Sequence, residues 1–356
     1  LILYGARQVG KTTLVKELIS RFQGPSCYLN CDEPDVRNAL ESRTSTELKH
    51  FLGSARLVVI DEAQRVGDIG LTLKLLVDTM PDIQIVATGS SSFELANRTI
   101  EPLTGRKFEM HLHPLSIGEL KATESPVETR RLLETRLVYG MYPDVVTAGR
   151  DRAGEVLREL AGSYLYKDVL AWRDIRRPEV LDRLLRALAL QVGNEVSFTE
   201  LSALLGVDKA TVESYLEVLE QSFVVFRLMP FSRNLRNELK RMRKVYFWDV
   251  GIRNALINNL NPIGMRTDGG ALWENYVIVE RLKAMQNARR NFSAYFWRTH
   301  QQQEVDYVEE RDGTLLGAEI KYRKRRKSLP KTFTKAYPEV ETTVVTPDHF
   351  LDFVSS

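Results

Sequence analysis

The chain opens on four apolar residues, LILY (1–4), that run directly into GARQVGKTT (5–13) and then LVKELI (14–19), where apolar residues recur at helical spacing. A short buried strand, a GxxxxGK[ST] loop and a helix, in that order, leave few folds open. Glycine at positions 5 and 10 lets backbone N–H groups turn inward around an anion, and the helix N-terminus adds its partial positive charge. In such a cradle, built from Gly5, Gly10, Lys11, Thr12 and Thr13, the Lys11 ammonium reaches the β- and γ-phosphates of ATP and the Thr12 hydroxyl ligates Mg²⁺. A glycine turn carrying a surface lysine is the plain alternative, and the flanking strand and helix count against it.

Two further apolar runs extend the pattern. LVVI (57–60) ends in Asp61 and Glu62, so a buried strand delivers paired carboxylates at its C-terminal end. That is the arrangement in which Asp61 holds Mg²⁺ through water and Glu62 polarises the attacking water. A third run, IQIVA (83–87), leads into TGSS (88–91), whose small hydroxyl residues, Ser90 among them, contact the γ-phosphate or the lytic water or simply cap the next helix. Arg98 and Arg106 follow, each a candidate for stabilising transition-state charge or for a surface ion pair. The catalytic set expected here is Lys11, Asp61, Glu62 and Arg106.

Composition bounds the remainder. At 356 residues the chain is long enough for two or three cores. Its two cysteines, Cys27 and Cys31, exclude a disulfide framework and fit idle thiols in a reducing, cytoplasmic setting. No apolar run approaches the roughly 18–20 residues needed to cross a bilayer. The chain begins without Met, directly on a strand, as a trimmed chain does, and contacts to the adenine base are expected upstream of it. Net charge is +3 for the whole but +11 over residues 227–331, against −2 for 1–120, −3 for 121–226 and −3 beyond. That asymmetry points to a polyanion, nucleic acid first, as partner of the C-terminal third.

Residues 121–190 have mostly helical spacing. Ser197 to Glu200 forms a capping pattern ahead of a short helix; Gly206 turns the chain, Asp208 caps a second helix, and two strand-like runs follow (223–228 and 244–248). Helix, turn, helix and ribbon make a winged helix-turn-helix pattern. Its second helix carries Asp208, Glu213, Glu217 and Glu220 against Lys209 alone, which suits a protein contact better than a phosphate-lined groove. The ribbon's loop is basic, with Arg233, Arg236, Lys240, Arg241, Arg243 and Lys244, and is read either as a phosphate contact or as a solvated loop.

At the back end an amphipathic helix carries Glu274, and three strands follow. Residues two apart on a strand share a face, so Glu304 pairs with Asp306 and Glu319 with Lys321. Antiparallel pairing of those strands would bring Asp306 beside Glu319 and Lys321, with Glu274 completing an acidic pocket suited to a second Mg²⁺ or Mn²⁺. The set resembles the PD-(D/E)xK nuclease core, with Asp306 and the Glu319–Lys321 unit at its acidic and lysine positions. Six of the seven residues 321–327 are basic, a run that holds a phosphodiester backbone or lies solvated.

Taken together, GARQVGKTTL, VVIDEAQ, ATGSSSFEL, LTGR, HPLSIGEL, YGMYPDVV, YFWDVG, LWENYV, EVDYV and AEIK follow one another in the order of a family of bacterial and archaeal AAA-type P-loop ATPases, and the resemblance spans essentially the whole chain. These carry a C-terminal domain of unknown function with a nuclease-like core. Ala6 departs from the proline common in such loops. The residue patterns and the resemblance together give an expected α/β chain of four parts: a parallel-sheet ATPase domain (1–120), a helical subdomain (121–190), a winged helix-turn-helix (191–250) and a nuclease-like domain (265–356). The resemblance implies ATP and Mg²⁺ as ligands and leaves a homo-oligomer open. The expected activity is ATP hydrolysis coupled to nucleic-acid binding or cleavage; the alternative is a nucleotide-gated regulatory switch that binds its partner without cutting.

Overall fold

The computed structural model describes residues 1–89, 103–164, 175, 177–232, 243–299, 301–323 and 328–355. They fall into two compact units, Leu1–His113 with Gln221–Phe223, and Pro114–Glu220 with Val224–Ser356.

The first unit is built on five strands: β1 (Ile2–Gly5), β2 (Ser26–Asn30), β3 (Leu57–Asp61), β4 (Gln84–Gly89) and β5 (Glu109–Leu112). Their order is β2-β3-β4-β1-β5 and every neighbouring pair is parallel. Parallel pairing needs a crossover between strands, and helices supply it. Helix α1 (Lys11–Arg21) follows β1, and helices Pro34–Leu40, Ser45–Leu52 and Ile69–Thr79 follow in turn. With both faces covered, β1 and β3 are buried along their whole length, which explains why each reads as an unbroken apolar run. Leu3, Val15, Leu57, Val59 and Val86 form the core beneath α1. The C-terminal ends of β1, β3 and β4 open on one edge of this sheet, the edge where open parallel sheets bind ligands.

The second unit begins with helices, among them Leu133–Tyr139, Arg150–Tyr164 and Pro178–Leu190. Helix Phe198–Leu205 stops at Gly206, whose φ of 70° is left-handed, and helix Lys209–Gln221 follows. Six strands complete the unit: β6 (Val225–Pro230), β7 (Lys244–Phe247), β8 (Phe292–Arg298), β9 (Glu304–Arg311), β10 (Thr314–Ile320) and β11 (Glu341–Val345). Their order is β11-β10-β9-β8-β6-β7.

β6 and β7 pair antiparallel, as a ribbon should, yet β6 also runs parallel beside β8 through Met229↔Tyr295 and Pro230↔Phe296. Phe231 N–H continues the contact, donating to the Phe296 carbonyl at 2.6 Å. The ribbon is therefore part of the C-terminal sheet rather than a free wing. An edge strand presents unpaired backbone groups, and β8 satisfies them. Phe231, Trp297, Val305, Val308, Leu329 and Phe333 pack one face of this sheet. Helix Gly269–Asn287 is buried nearly all round, with Trp273, Tyr276, Val277 and Ile278 inside.

No helix among the described residues is long and apolar enough to cross a membrane.

Candidate functional site

The turn between β1 and α1 has the backbone expected of a phosphate cradle. Gly10 has φ 99° and Gln8 φ 58°, so the loop passes twice through conformations that turn successive N–H groups to one side. Lys11 begins α1 with only 5% of its surface exposed. Its Nζ donates to the carbonyls of Gly5 at 2.9 Å and Ala6 at 2.8 Å, which folds the ammonium back into the loop. Thr12 lies beside it, and Thr13 is exposed on the first turn of the helix.

At the end of β3, Asp61 is a buried carboxylate gripped from three elements. Its Oδ2 accepts from Thr12 Oγ1 of α1 at 2.8 Å and from the Tyr28 hydroxyl of β2 at 2.6 Å; its Oδ1 accepts from Thr88 of β4. Burial pushes the Asp61 carboxyl up, but the hydroxyls of Thr88, Tyr28 and Thr12 and the Lys11 charge together hold it below its ordinary value. Glu62 has φ 53°, and its N–H donates to Thr88 Oγ1 at 3.1 Å. Its side chain accepts from Gln64 Nε2 at 2.6 Å.

A buried carboxylate oxygen beside a threonine hydroxyl, next to a buried ammonium on a glycine loop, is a donor set suited to a hard cation paired with phosphate. The residues therefore fit Mg²⁺ and a nucleoside triphosphate. Tyr28 was not singled out from the sequence, and Thr88, expected among the small hydroxyl residues facing the γ-phosphate or the lytic water, here bonds Asp61. Arg106 lies at the surface, paired with Asp78 at 2.9 Å. Ser90 and Arg98 lie outside the described residues.

In the second unit the carboxylates of three elements converge. Lys321 Nζ donates to Asp306 Oδ2 at 2.8 Å and lies 3.1 Å from Glu319 Oε1. The Ile320 N–H also donates to Asp306 Oδ2, at 2.7 Å. The β9–β10 register, in which Tyr307 faces Ala318, puts Asp306 and Glu319 each one residue beyond that pair. Glu274, Glu304 and Asp306 each offer an oxygen within 4.8 Å of the others, close enough to share one cation.

Lys244 supplies a cation there. Read from the sequence as a member of the basic ribbon loop, it is instead 1% exposed, with Nζ bonded to Glu304 and 3.0 Å from Glu274 Oε1. The strand expected over 244–248 does begin at Lys244, and what the sequence did not give is the burial, which follows from the sheet that β7 shares through β6. Burial alone lowers the Lys244 ammonium, but the charges of Glu274 and Glu304 hold it above its ordinary range. Tyr246 donates to Glu274 Oε1 at 2.6 Å, and Arg298 Nη1 to Glu304 Oε2 at 3.0 Å. Glu274 is pushed up to about 7, first by burial and then by Asp306, against the pull of Lys244 and Tyr246.

Of the other ribbon-loop cations, Arg243 lies 4.0 Å from the Phe198 ring centroid, while Arg233, Arg236, Lys240 and Arg241 fall outside the described residues. So do residues 324–327 of the second basic run.

Three family models match the chain. Residues 1–121 match an AAA domain, 130–262 a domain of unknown function (DUF8612) and 269–352 a second domain of unknown function (DUF4143). The chain thus carries an AAA, P-loop ATPase-like domain at its N-terminal end and a DUF4143 domain at its C-terminal end. It is 29% identical over 326 residues to an uncharacterized protein of Mycobacterium tuberculosis, a match covering 90% of this chain and 69% of that one. An uncharacterized protein of Methanocaldococcus jannaschii is 24% identical over 309 residues, covering 79% and 69%. One from Haemophilus influenzae is 24% identical over 349 residues, covering 90% and 82%. Among solved structures, protein VC1899 from Vibrio cholerae aligns at 11% identity across 93% of this chain and 96% of its own, with a TM-score of 0.17, too loose a superposition to inform the fold.

Proposed function

We propose that the first unit binds ATP with Mg²⁺ and hydrolyses it, and that the second unit is a nucleic-acid-binding, nuclease-like module under nucleotide control. The observation that carries the first part is the meeting of Lys11, Thr12 and Asp61. A buried ammonium, a hydroxyl and a carboxylate stand beside a glycine loop that takes positive φ at Gln8 and Gly10.

In this reading Lys11 exchanges its carbonyl partners for phosphate oxygens, and the loop N–H groups hold the remaining charge. Thr12 and Asp61 hold the magnesium ion, which when bound neutralises charge on the β- and γ-phosphates. Glu62, held by Gln64, orients a water for in-line attack on the γ-phosphorus and takes up its proton. The new bond is from water oxygen to phosphorus; the bond to the β–γ bridging oxygen breaks, releasing ADP and phosphate. Arg106 would have to leave Asp78 to reach that centre, so a charge-stabilising role for it requires the ion pair to open.

The test is phosphate release by wild type and Lys11→Ala. The variant should lose turnover by at least about 100-fold together with ATP affinity; undiminished Mg²⁺-dependent turnover refutes the reading. Adding single- and double-stranded DNA to the same assay tests the second part. Stimulation supports nucleotide control of a nucleic-acid-binding module.

A second reading has its own observation. Lys244 already lies between Glu274 and Glu304, and Arg298 meets Glu304 from another side. A pocket provided with internal cations favours a regulatory switch whose second unit binds a partner without cutting it. Purified protein that nicks no DNA in Mg²⁺ or Mn²⁺, yet shows DNA-stimulated turnover, would support this reading over the nuclease-like one.

A further inference from the structure

We propose that Tyr28 is a positioning residue for the nucleotide site: its hydroxyl fixes Asp61 in the orientation in which that carboxylate serves the magnesium ion alongside Thr12. The inference rests on the ATPase reading and concerns a residue outside the phosphate loop.

The placement follows from the sheet. In the parallel β2–β3 pair, Tyr28 faces Val59 and Asn30 faces Asp61. Residues two apart share a face, so Tyr28 and Asp61 project to the same side, and the tyrosine is long enough to span the offset. Its ring packs on the core of Leu3, Val15, Leu57, Val59 and Val86, and Lys16 Nζ lies 5.5 Å from the ring centroid. Its hydroxyl donates to Asp61 Oδ2 at 2.6 Å, shorter than the 2.8 Å bond from Thr12 to the same oxygen.

The consequence concerns one torsion. A carboxylate held by a single hydroxyl can swing about its Cβ–Cγ bond. Asp61 is held at Oδ1 by Thr88 and at Oδ2 by Tyr28, so its plane is fixed whether or not Thr12 remains bonded to it. That independence matters because Thr12 is the donor that must turn toward the cation. Tyr28 is thus the donor on Oδ2 that has no other task, and it keeps the oxygen in place while Thr12 moves.

Tyr28→Phe removes the hydroxyl and keeps the packed ring. ADP affinity is measured by calorimetry in chelator and then in Mg²⁺, and turnover is measured against Mg²⁺ concentration. The expected result is unchanged affinity in chelator, about tenfold less Mg²⁺-dependent tightening, and about tenfold more Mg²⁺ for half-maximal turnover. In an Asp61→Asn background the same substitution should have no further effect, so the loss seen in wild type would be traced to the hydroxyl acting through the Asp61 carboxylate. Equal Mg²⁺ dependence in wild type and Tyr28→Phe overturns the proposal while leaving the ATPase reading intact. Failure of wild type to bind nucleotide in either condition overturns both.

Discussion

Gly5, the last residue of β1, lies so close to Leu112 of β5 that a Cβ on it would stand 2.3 Å from the Leu112 carbonyl oxygen. The phosphate loop starts at that glycine, so the edge strand and the cradle constrain each other. Gly10 is different: a Cβ there meets nothing within 4 Å, and its demand is a φ of 99°. Gly5→Ala should destabilise the first unit by about 1–3 kcal/mol through overpacking, and Gly5→Val by more. At Gly10, Ala and Ser should cost about the same as each other, roughly 1–2 kcal/mol, because the penalty is backbone strain alone. Thermal unfolding of the four variants distinguishes size dependence from its absence.

The hydrolytic step and nucleotide binding should separate at Glu62. Its carboxylate is bonded to Gln64 rather than to the loop, so Glu62→Gln leaves the cradle residues untouched. The variant should bind Mg²⁺-ATP like wild type and turn it over about 10²–10⁴-fold more slowly. Gln64→Ala should show a milder form of the same split, about tenfold, since it loses one bond that aims the carboxylate. Single-turnover phosphate release beside equilibrium ATP binding measures both.

Asp268 precedes helix Gly269–Asn287, the helix that carries Glu274, and it is bonded to Arg253 and twice to Arg266, at 2.8 Å each. Burial pushes its carboxyl up, but the two guanidinium groups hold it well below the ordinary carboxylate range. The unfolded chain therefore takes up this proton first as pH falls. Stability from Asp268 is full above about pH 4 and is lost as pH drops below that value. Asp268→Asn should lower stability by about 2 kcal/mol at pH 7, and its gap from wild type should narrow steadily as pH falls below about 4. A gap that stays constant across this range would remove the guanidinium pair as the cause.

How much of this was legible beforehand depends on the distance over which each feature is determined. The phosphate loop is local: glycine where φ is positive, an apolar run before it and helical spacing after it, all within residues 1–19. The pairing of Asp306 with Glu319 and Lys321 was nearly as readable, because one tight hairpin sets the β9–β10 register. The bonds of Tyr28 and Thr88 to Asp61 were not, since they depend on the lateral order β2-β3-β4. Lys244 was misread for the same reason. In the sequence it ends a basic stretch, and only the parallel contact of β6 with β8 draws β7 into the C-terminal sheet and the lysine into its interior.

Lys244 also offers the sharpest test of what the acidic pocket accepts. Its ammonium is buried between Glu274 and Glu304, and the oxygens of those residues and of Asp306 lie within 4.8 Å of one another. Removing one member of a buried ion pair leaves the other charge uncompensated, so Lys244→Met should destabilise the second unit by about 3–5 kcal/mol in chelator. If the lysine fills the place of a cation, Mn²⁺ should restore much of that loss in the variant and add little to the wild type, because a ligand stabilises only a state with room for it. Combining Lys244→Met with Glu274→Gln should recover stability without metal, since the orphaned charge is then gone. Mn²⁺ that stabilises wild type and variant equally would mean that the carboxylates take a metal beside the lysine, and the nuclease-like reading would then gain over the non-cutting one. Thermal unfolding in chelator and in Mn²⁺ reads all three proteins on one scale.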